Sequence, residues 1–371
     1  MAEPISIADL RRLARRRLPR MVFDYLEGGA EDEGGIVRNV EAFRKIRLMP
    51  HRLVDVSERS TAVELLGKKA AAPIVVGPTG LNGAFWPNGD IALARAAAKA
   101  GVPFALSTAS NATIENVAAV GGRLWFQLYV VHRELAANLV RRASQAGCEA
   151  LILTVDVPVN GKRERDLRNG FQMPLRYSPR TIFDILTHPR WASGILASGA
   201  LKLANLATTT ASSLDAQTAL LRREMDASFC WDDLARLRDV WPRRLIVKGI
   251  CAPHDAARCF EIGADAVVVS NHGGRQLDDA PAPISILESF QGLGPVLIDG
   301  GIRRGSDIVK ALASGAHGVL VGRSILYGLA ARGETGATKA ISILVEEIDR
   351  TLALVGCPDA SRLSSAFVGH D

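Results

Sequence analysis

The sequence predicts an α/β fold of the (β/α)8 class, a TIM barrel, from three observations. Eight short runs rich in Val, Ile and Leu recur along the chain, helix-like stretches separate most of them, and Gly follows several of these stretches. Continuous apolar runs are typical of strands buried on both faces of a parallel sheet, and strands that alternate with helices favour a barrel. The runs are 73–79, 103–110, 124–130, 150–157, 244–250, 266–273, 296–301 and 318–323.

The stretches between these runs predict the helices of the barrel. They lie at 90–100, 133–146, 253–262 and 305–314. Glycine follows each of them, as a helix C-cap requires, at Gly101, Gly147, Gly263 and Gly315. An open doubly wound sheet is the competing topology, but no glycine-rich dinucleotide turn follows the first strand. We therefore expect residues 1–371 to form one barrel domain.

Two segments lie outside the repeating pattern. Residues 1–70 precede the first strand and include a predicted helix at 6–18. Its apolar residues share one face, which predicts packing against the barrel, whereas its Arg-rich face leaves a membrane-surface helix as the alternative. A long insert after strand 4, about 176–225, is apolar with few charges. Such an insert is usually a lid or an interaction surface, and the alternative is a packed excursion with its own small core.

The composition limits the classes of protein that fit. Of 371 residues, 48% are hydrophobic and 23% are charged, which excludes a largely disordered chain. The net charge of +6 is too small and too dispersed to indicate a nucleic-acid partner. The five cysteines include no C-x-x-C pair, which predicts a reduced compartment and no metal site. Because we find neither a signal peptide nor an apolar run of membrane-spanning length, we expect a cytoplasmic protein.

Polar residues stand at the ends of all eight predicted strands. In a (β/α)8 barrel the functional groups come from the C-terminal strand ends. An unpartnered buried polar group costs about 1–3 kcal/mol, so a complete polar rim predicts a functional site and not a plain core. These residues are Thr79, Gly80, Ser107, Gln127, Tyr129, Thr154, Asp156, Lys248, His272, Arg275, Asp299, Gly301, Arg303, Gly322 and Arg323.

The last two strand ends predict an anion site. Asp299-Gly300-Gly301 and Gly322-Arg323 stand where many barrels bind a phosphate. Glycine lets backbone N–H groups approach the anion, and Arg303 or Arg323 adds charge. The pattern does not distinguish a phosphorylated substrate from a phosphorylated cofactor.

Two further groupings predict acid–base chemistry and carboxylate binding. Asp156 next to His272 would fix the imidazole tautomer and raise its proton affinity. Arg163 and Arg275 are able to clamp a carboxylate through paired hydrogen bonds. Arg163 lies in the charged run KRERD (162–166), and its chemistry alone does not favour it over Arg165.

Long motifs then identify a family. SNHGGRQLD (270–278) and IDGGIRRGSDIVKALA (298–313) are similar to the FMN-dependent 2-hydroxyacid dehydrogenase/oxidase family. The resemblance covers nearly the whole chain, including LPRMVFDYLEGGAEDE (18–33), VGPTGLNGAFWPNGDIALARAA (76–97) and LTVDVPVNGKRERDLRNGF (153–171). It is strongest to the mandelate-oxidising members.

The resemblance implies a role for each matching residue. His272 corresponds to the active-site base, with Asp156 as its partner, and Tyr129 to the residue that contacts the substrate hydroxyl. The substrate carboxylate would be bound by Arg275, Arg163 and Tyr25. Lys248 corresponds to the cation beside the flavin. The remaining matches would hold FMN: Thr79, Gly80, Ser107, Gln127 and Thr154 at the isoalloxazine, and Asp299, Gly301, Arg303, Gly322 and Arg323 at the ribityl phosphate.

The expected activity is FMN-dependent oxidation of an (S)-2-hydroxy acid to the 2-oxo acid, with (S)-mandelate to benzoylformate favoured. The resemblance further implies a quinone-type electron acceptor, a homotetramer, and docking of segment 183–209 on the inner face of the cell membrane. An L-lactate dehydrogenase or a soluble oxidase that uses oxygen is the alternative within the family. A barrel that binds a phosphorylated metabolite without redox chemistry, or a membrane-tethered scaffold, is the alternative outside it, but a scaffold has no use for the acid–base pair and two arginines on one rim.

Overall fold

A computed structural model of the chain describes residues 3–171, 178–199, 201–206 and 225–370. Eight parallel strands close into a barrel, and each lies within one of the predicted apolar runs. They are β1 (Ile74–Val76), β2 (Phe104–Ser107), β3 (Leu124–Leu128), β4 (Ala150–Thr154), β5 (Arg244–Ile250), β6 (Ala266–Val269), β7 (Val296–Ile298) and β8 (Gly318–Val321). The predicted (β/α)8 fold is confirmed.

The barrel closes because every strand is apolar on both sides. β3 and β4 pair from Trp125 opposite Ala150 to Leu128 opposite Leu153, and all four of these residues are buried. β8 returns to β1 with Val321 opposite Val76. One face of each strand fills the interior and the other packs against the helices, so the ends of the strands are left to carry polar groups.

After each strand, a helix of the described ranges returns the chain to the opposite mouth, and after β4 further helices of the insert come before it. In chain order these helices are Gly89–Lys99, Ile114–Ala118, Arg133–Gln145, Trp231–Val240, Pro253–Glu261, Pro283–Ile286, Gly305–Ala313 and Arg323–Val355. The last is interrupted by non-helical backbone at Arg332 and Gly333. The four helices predicted from the sequence are present within one residue of their predicted bounds, and the glycines after them have positive φ, for example 67° at Gly101.

The N-terminal segment packs on the barrel, as predicted. Helix Ile7–Arg17 begins at Ser6 in a capping box with Asp9, and its apolar face is buried against the last helix. Arg17 lies 4.1 Å over the Trp86 ring and donates to the Phe85 carbonyl at 2.9 Å. Helices Arg20–Glu27 and Gly34–Lys45 follow. Short antiparallel pairs, Ile46–Leu48 with Val368–His370 and Val63–Leu65 with Lys68–Ala70, complete the segment.

The insert after β4 is packed on one side and exposed on the other. Its described part contains helices Pro179–Leu186 and Pro189–Ser198. Trp191 is buried and donates to the Ala84 carbonyl at 2.8 Å. Asn205 is also buried, and its Oδ1 accepts from the backbone N–H of Ile114 at 2.9 Å. The outward side chains Phe183 and Leu196 are 69% and 82% exposed.

The predicted bounds of the insert and of its membrane-docking segment extend beyond what is described. Residues 176–177, 200 and 207–224 lie outside the described residues. Among the helices of the described ranges, none combines the length and the apolar character needed to cross a membrane.

Candidate active site

The predicted site residues meet around a cavity of about 800 Å³ at the C-terminal mouth of the barrel. Because parallel strands all end at this mouth, side chains far apart in the sequence converge there. Asp156 is set behind the cavity wall and reaches it through His272. The other predicted residues line the cavity: Tyr25, Thr79, Gly80, Ser107, Gln127, Tyr129, Thr154, Arg163, Lys248, His272, Arg275, Asp299, Gly301, Arg303, Gly322 and Arg323.

His272 is held between a carboxylate and a phenol. Its Nδ1 lies 3.0 Å from Asp156 Oδ1, and its Nε2 lies 3.2 Å from the Tyr129 hydroxyl. Since an ionised carboxylate only accepts, the ring proton belongs on Nδ1, and Nε2 presents its lone pair to the cavity. The His272 backbone is left-handed, with φ of 57°, a conformation that costs a non-glycine residue about 1–3 kcal/mol and is often found at functional sites.

The electrostatic surroundings keep this pair as neutral imidazole and ionised carboxylate. Burial lowers the pKa of His272, and Asp156 offsets only part of that effect. Burial raises the pKa of Asp156, but its interaction with His272, which includes a hydrogen bond, and the charge of Lys248 outweigh that effect, so the net shift of this pKa is downward. Nε2 is therefore free of a proton at neutral pH, which suits a general base.

Lys248 forms the centre of a second buried cluster. Burial lowers its pKa, but the carboxylates of Asp299 and Asp156 more than reverse that effect, so this pKa is raised and the ammonium stays charged. Its Nζ lies 2.9 Å from Asp299 Oδ2 and donates to the Ser270 hydroxyl at 2.8 Å. Ser270, which the sequence did not single out, also accepts from the His272 backbone N–H at 3.0 Å and so joins the two clusters.

A row of hydrogen-bonded polar side chains crosses β2, β3 and β4. The Ser107 hydroxyl donates to Gln127 Oε1 at 3.0 Å, and Gln127 Nε2 donates to the Thr154 hydroxyl at 3.0 Å. All three are buried and line the cavity. Their mutual hydrogen bonds fix the orientation of these side chains and give the cavity a polar wall.

The arginines of the rim are anchored by backbone carbonyls. The Arg275 guanidinium donates to the carbonyls of Tyr25 and Gly28 at 2.9 and 2.7 Å, and it lies 5.1 Å from the centre of the Tyr25 ring. Arg163 is buried at the cavity, with its Nε 3.4 Å from the Arg275 carbonyl. Arg165 instead pairs with carboxylates away from the cavity. The structure therefore distinguishes Arg163 from Arg165, which chemistry alone left open.

The ends of β7 and β8 bring the residues of the predicted anion site together at the cavity. Gly300 and Gly301 have φ of 83° and 81°, which lets their backbone border the cavity closely. Burial lowers the pKa of Arg323 to about 9, helped by the positive charges of Arg275 and Arg303. Three guanidiniums that repel one another would be stabilised by a dianionic phosphate among them.

The described residues fit FMN. Asp299 Oδ1 is buried at the cavity wall and has no hydrogen-bond partner among the described residues, so it is available to a ribityl hydroxyl. The row of Ser107, Gln127 and Thr154 would suit the isoalloxazine ring, Lys248 would supply a cation beside it, and the arginine cluster would suit the phosphate.

An apolar part of the cavity was not predicted from the sequence. The Tyr25 ring stacks with two other aromatic rings. The centre of the Phe171 ring lies 4.5 Å from the centre of the Tyr25 ring, and the centre of the Phe85 ring lies 6.0 Å from it. Phe85 and Phe171 come from loops, where no periodic pattern marks which side chains turn inward. Other apolar residues that line the cavity include Leu81, Val157, Leu203, Met225 and Leu326.

Comparison with known proteins agrees with this geometry. The family model described as FMN-dependent dehydrogenase matches residues 14–370. The (S)-mandelate dehydrogenase of Pseudomonas putida is 55% identical over 369 residues, covering 99% of this chain and 94% of that protein. The L-lactate dehydrogenase of Caulobacter vibrioides is 41% identical, covering 98% and 97%. The crystal structure of the monotopic membrane protein (S)-mandelate dehydrogenase superposes with a TM-score of 0.97 at 54% identity, covering 100% of both chains. The chain therefore belongs to the family of FMN-dependent dehydrogenases.

Proposed function

We propose that the protein oxidises an (S)-2-hydroxy acid to the 2-oxo acid, with (S)-mandelate to benzoylformate as the favoured reaction. The observation that carries this proposal is the convergence of an unprotonated imidazole nitrogen and two arginines, Arg163 and Arg275, on one cavity. A base beside a pair of guanidiniums matches a substrate with a hydroxyl next to a carboxylate.

In this mechanism the chain binds the substrate by its carboxylate. Arg163 and Arg275 hold the two carboxylate oxygens, and the Tyr25 ring beside Arg275 supports that guanidinium. The hydroxyl then faces Tyr129 and His272, whose reactive atoms are 3.2 Å apart. His272 Nε2 accepts a proton from the substrate, and Asp156 stabilises the imidazolium that results.

FMN, when bound, would supply the acceptor for the two electrons and for the second hydrogen that the oxidation removes from the substrate. Thr79, Gly80, Ser107, Gln127 and Thr154 would hold its ring system. Lys248 would offset negative charge that develops on the ring, because a buried ammonium acts strongly where water is excluded. Asp299, Gly301, Arg303, Gly322 and Arg323 would hold the ribityl chain and the phosphate.

The preference for an aryl substrate rests on the apolar wall and on the relatives. Phe171 and the neighbouring loop residues add an apolar surface that a methyl group would leave largely uncovered. The Pseudomonas putida relative is named for mandelate, and it is more similar than the L-lactate dehydrogenase of Caulobacter vibrioides.

A flavin-bleaching experiment tests the activity. The purified yellow protein is mixed without oxygen with (S)-mandelate, (R)-mandelate, L-lactate and glycolate, and loss of flavin absorbance is followed. We expect the fastest bleaching with (S)-mandelate. His272→Ala should stay folded and yellow while its bleaching slows by about 10²–10⁴-fold, as expected for loss of a general base. A wild-type protein that bleaches with none of these acids would refute the proposal.

The proposed setting is the inner face of the cell membrane, with electrons passing to a quinone-type acceptor from a homotetramer. The exposed apolar side of the insert supports docking, since Phe183 and Leu186 are 69% and 71% exposed. The similar crystal structure is that of a monotopic membrane protein.

Charge substitutions on the insert test this setting. Phe183→Glu with Leu186→Glu should move the protein from the membrane fraction to the soluble fraction without loss of flavin. Val240→Glu is the matched control, because Val240 is 64% exposed on the helix that precedes β5. A wild-type protein that stays soluble without detergent contradicts docking, and stoichiometric peroxide in air would indicate oxygen as the acceptor instead.

A further inference from the structure

A buried carboxylate outside the cavity is held only by neutral donors. Asp90 lies in the first turn of helix Gly89–Lys99 and is 1% exposed. Burial raises its pKa to about 6, so the group is mostly ionised at neutral pH. An ionised carboxylate in this position costs folding energy unless donors surround it. The donors that offset this cost are therefore the groups whose positions Asp90 fixes.

One Asp90 oxygen sets the orientation of a neighbouring amide. Asn82 Nδ2 donates to Asp90 Oδ1 at 2.7 Å and to the Thr79 carbonyl at 3.0 Å. Asn82 Oδ1 accepts from the Thr79 hydroxyl at 2.9 Å. Because a carboxylate only accepts, Asp90 forces the nitrogen side of the Asn82 amide to face it. The same Nδ2 group donates to the Thr79 carbonyl.

The second oxygen ties this loop to the next one. Asp90 Oδ2 accepts from the backbone N–H groups of Asn111 and Ala112 at 2.7 and 3.2 Å. Asp90 thus bridges the loop after β1, which contains Thr79 and Gly80, and the loop after β2.

The two bridged loops are in close contact at the cavity. A Cβ placed on Gly80 would lie 2.9 Å from the Ala109 Cβ, and the Leu81 backbone, at φ of 57°, donates to the Ala109 carbonyl at 2.9 Å. A left-handed non-glycine residue in such a contact persists only where its surroundings enforce it. The bridge through Asp90 and Asn82 supplies that enforcement.

We propose that Asp90 is a positioning residue for the flavin, which acts through Asn82 and sets the backbone of Thr79 and Gly80 against the isoalloxazine ring. This rests on the proposed assignment of Thr79 and Gly80 to the flavin. Asp90 touches neither the cavity nor the reacting atoms, so its effect reaches the cofactor only through the two loops.

The test compares three variants by their FMN dissociation constant, the visible spectrum of the bound flavin and the midpoint temperature of unfolding. Asp90→Asn keeps the shape of the side chain but replaces one acceptor oxygen with an NH₂ group. That group must either face another donor or force the Asn82 amide to turn, so that Asn82 no longer donates to the Thr79 carbonyl. Asn82→Asp/Asp90→Asn exchanges carboxylate and amide, which restores the bond between positions 82 and 90 and both backbone contacts. The Thr79 carbonyl alone loses its donor. Asp265→Asn is the control, since Asp265 accepts from the Leu245 backbone at 2.8 Å at the opposite mouth.

We expect Asp90→Asn to raise the FMN dissociation constant about tenfold, the scale of one lost hydrogen bond to a charged group. We also expect it to shift the flavin spectrum, while the substrate KM changes less than about twofold because the carboxylate-binding arginines are untouched. The exchanged pair should recover the unfolding temperature but keep the weak FMN binding. Asp265→Asn should lower the unfolding temperature alone.

Two results would overturn the proposal. The first is that the exchanged pair recovers wild-type FMN affinity and flavin spectrum along with its unfolding temperature, because such a joint recovery would show that Asp90 is purely structural. The other is unchanged FMN binding in Asp90→Asn. If Asp90→Asn does not fold, the exchanged pair carries the test by itself. A wild-type protein that binds no FMN would refute the proposed function instead, so the two failures are distinguishable.

Discussion

The pairing of His272 with Asp156 allows a quantitative prediction for Asp156→Asn. The 3.0 Å bond from Nδ1 to the buried carboxylate is a charge-assisted hydrogen bond once the imidazole has taken up a proton. Such a bond contributes about 1.5–3 kcal/mol, which corresponds to about a ten- to hundredfold loss in the rate of flavin reduction. Asp156 Oδ2 has no hydrogen-bond partner in the described ranges, so nothing there prevents the new amide from turning and favouring the wrong tautomer.

The same substitution should move the pH dependence in a defined direction. His272 is active as the neutral base, so activity is lost as the pH falls through its pKa. Asp156 raises that pKa against the effect of burial. Removing the negative charge lowers the pKa further, and the acid limb of the rate profile should therefore shift to lower pH even though the rate itself drops.

Anaerobic stopped-flow measurement of flavin bleaching between pH 5 and 8 would check both effects, with Asp265→Asn as the control for loss of a carboxylate far from the site. A reduction rate within twofold of wild type, or an acid limb that moves to higher pH, would refute this account of the pair.

Three more predictions concern the same cavity. Lys248→Met leaves Asp299 and Asp156 without their buried cation, so urea unfolding should show a loss of about 3–5 kcal/mol, and unchanged stability would contradict the pairing. Arg323→Lys removes the fork that holds the carbonyls of Leu26, Gly28 and Gly273, and fluorescence titration should show FMN binding weakened about tenfold or more; equal affinity would remove Arg323 from the phosphate site. In the wild type, burial keeps the His272 pKa below 6.5, so kcat/KM should fall only beneath that pH, and a midpoint above it would argue against His272 as the base.

Much of the barrel was predictable because its strands are buried on both faces. A run such as ALILTVDV at 150–157 carries its own signal, and the polar residues that end it, Thr154 and Asp156, lie at the mouth once the strands are parallel. The positions of these groups follow from the fold, which explains why the converging set was visible before any coordinates. The three-residue strands at 46–48, 63–65 and 68–70 were missed, since so few residues show no periodicity.

The rest depends on loop conformation. Arg163 and Arg165 are identical in chemistry and only two positions apart in the charged run. Only the path of the chain buries one of them and pairs the other with carboxylates. Asp90 marked the start of a helix in the sequence, and its complete burial depends on contacts with Asn82 and Asn111, which belong to different loops. No local pattern encodes such long-range hydrogen bonds.

The hydrogen bonds between the insert and the barrel decide how a test of membrane docking should be engineered. Cutting out 183–209 would remove Trp191 and Asn205, which satisfy the Ala84 carbonyl and the Ile114 N–H. Each orphaned backbone group would cost about 1–3 kcal/mol if it stayed dry. A truncated chain that misfolds would then be mistaken for one that needs lipid. Placing charges on the outward residues while keeping the inward ones avoids that confusion, because the exposed apolar side chains and the side chains that attach the insert to the barrel are different residues.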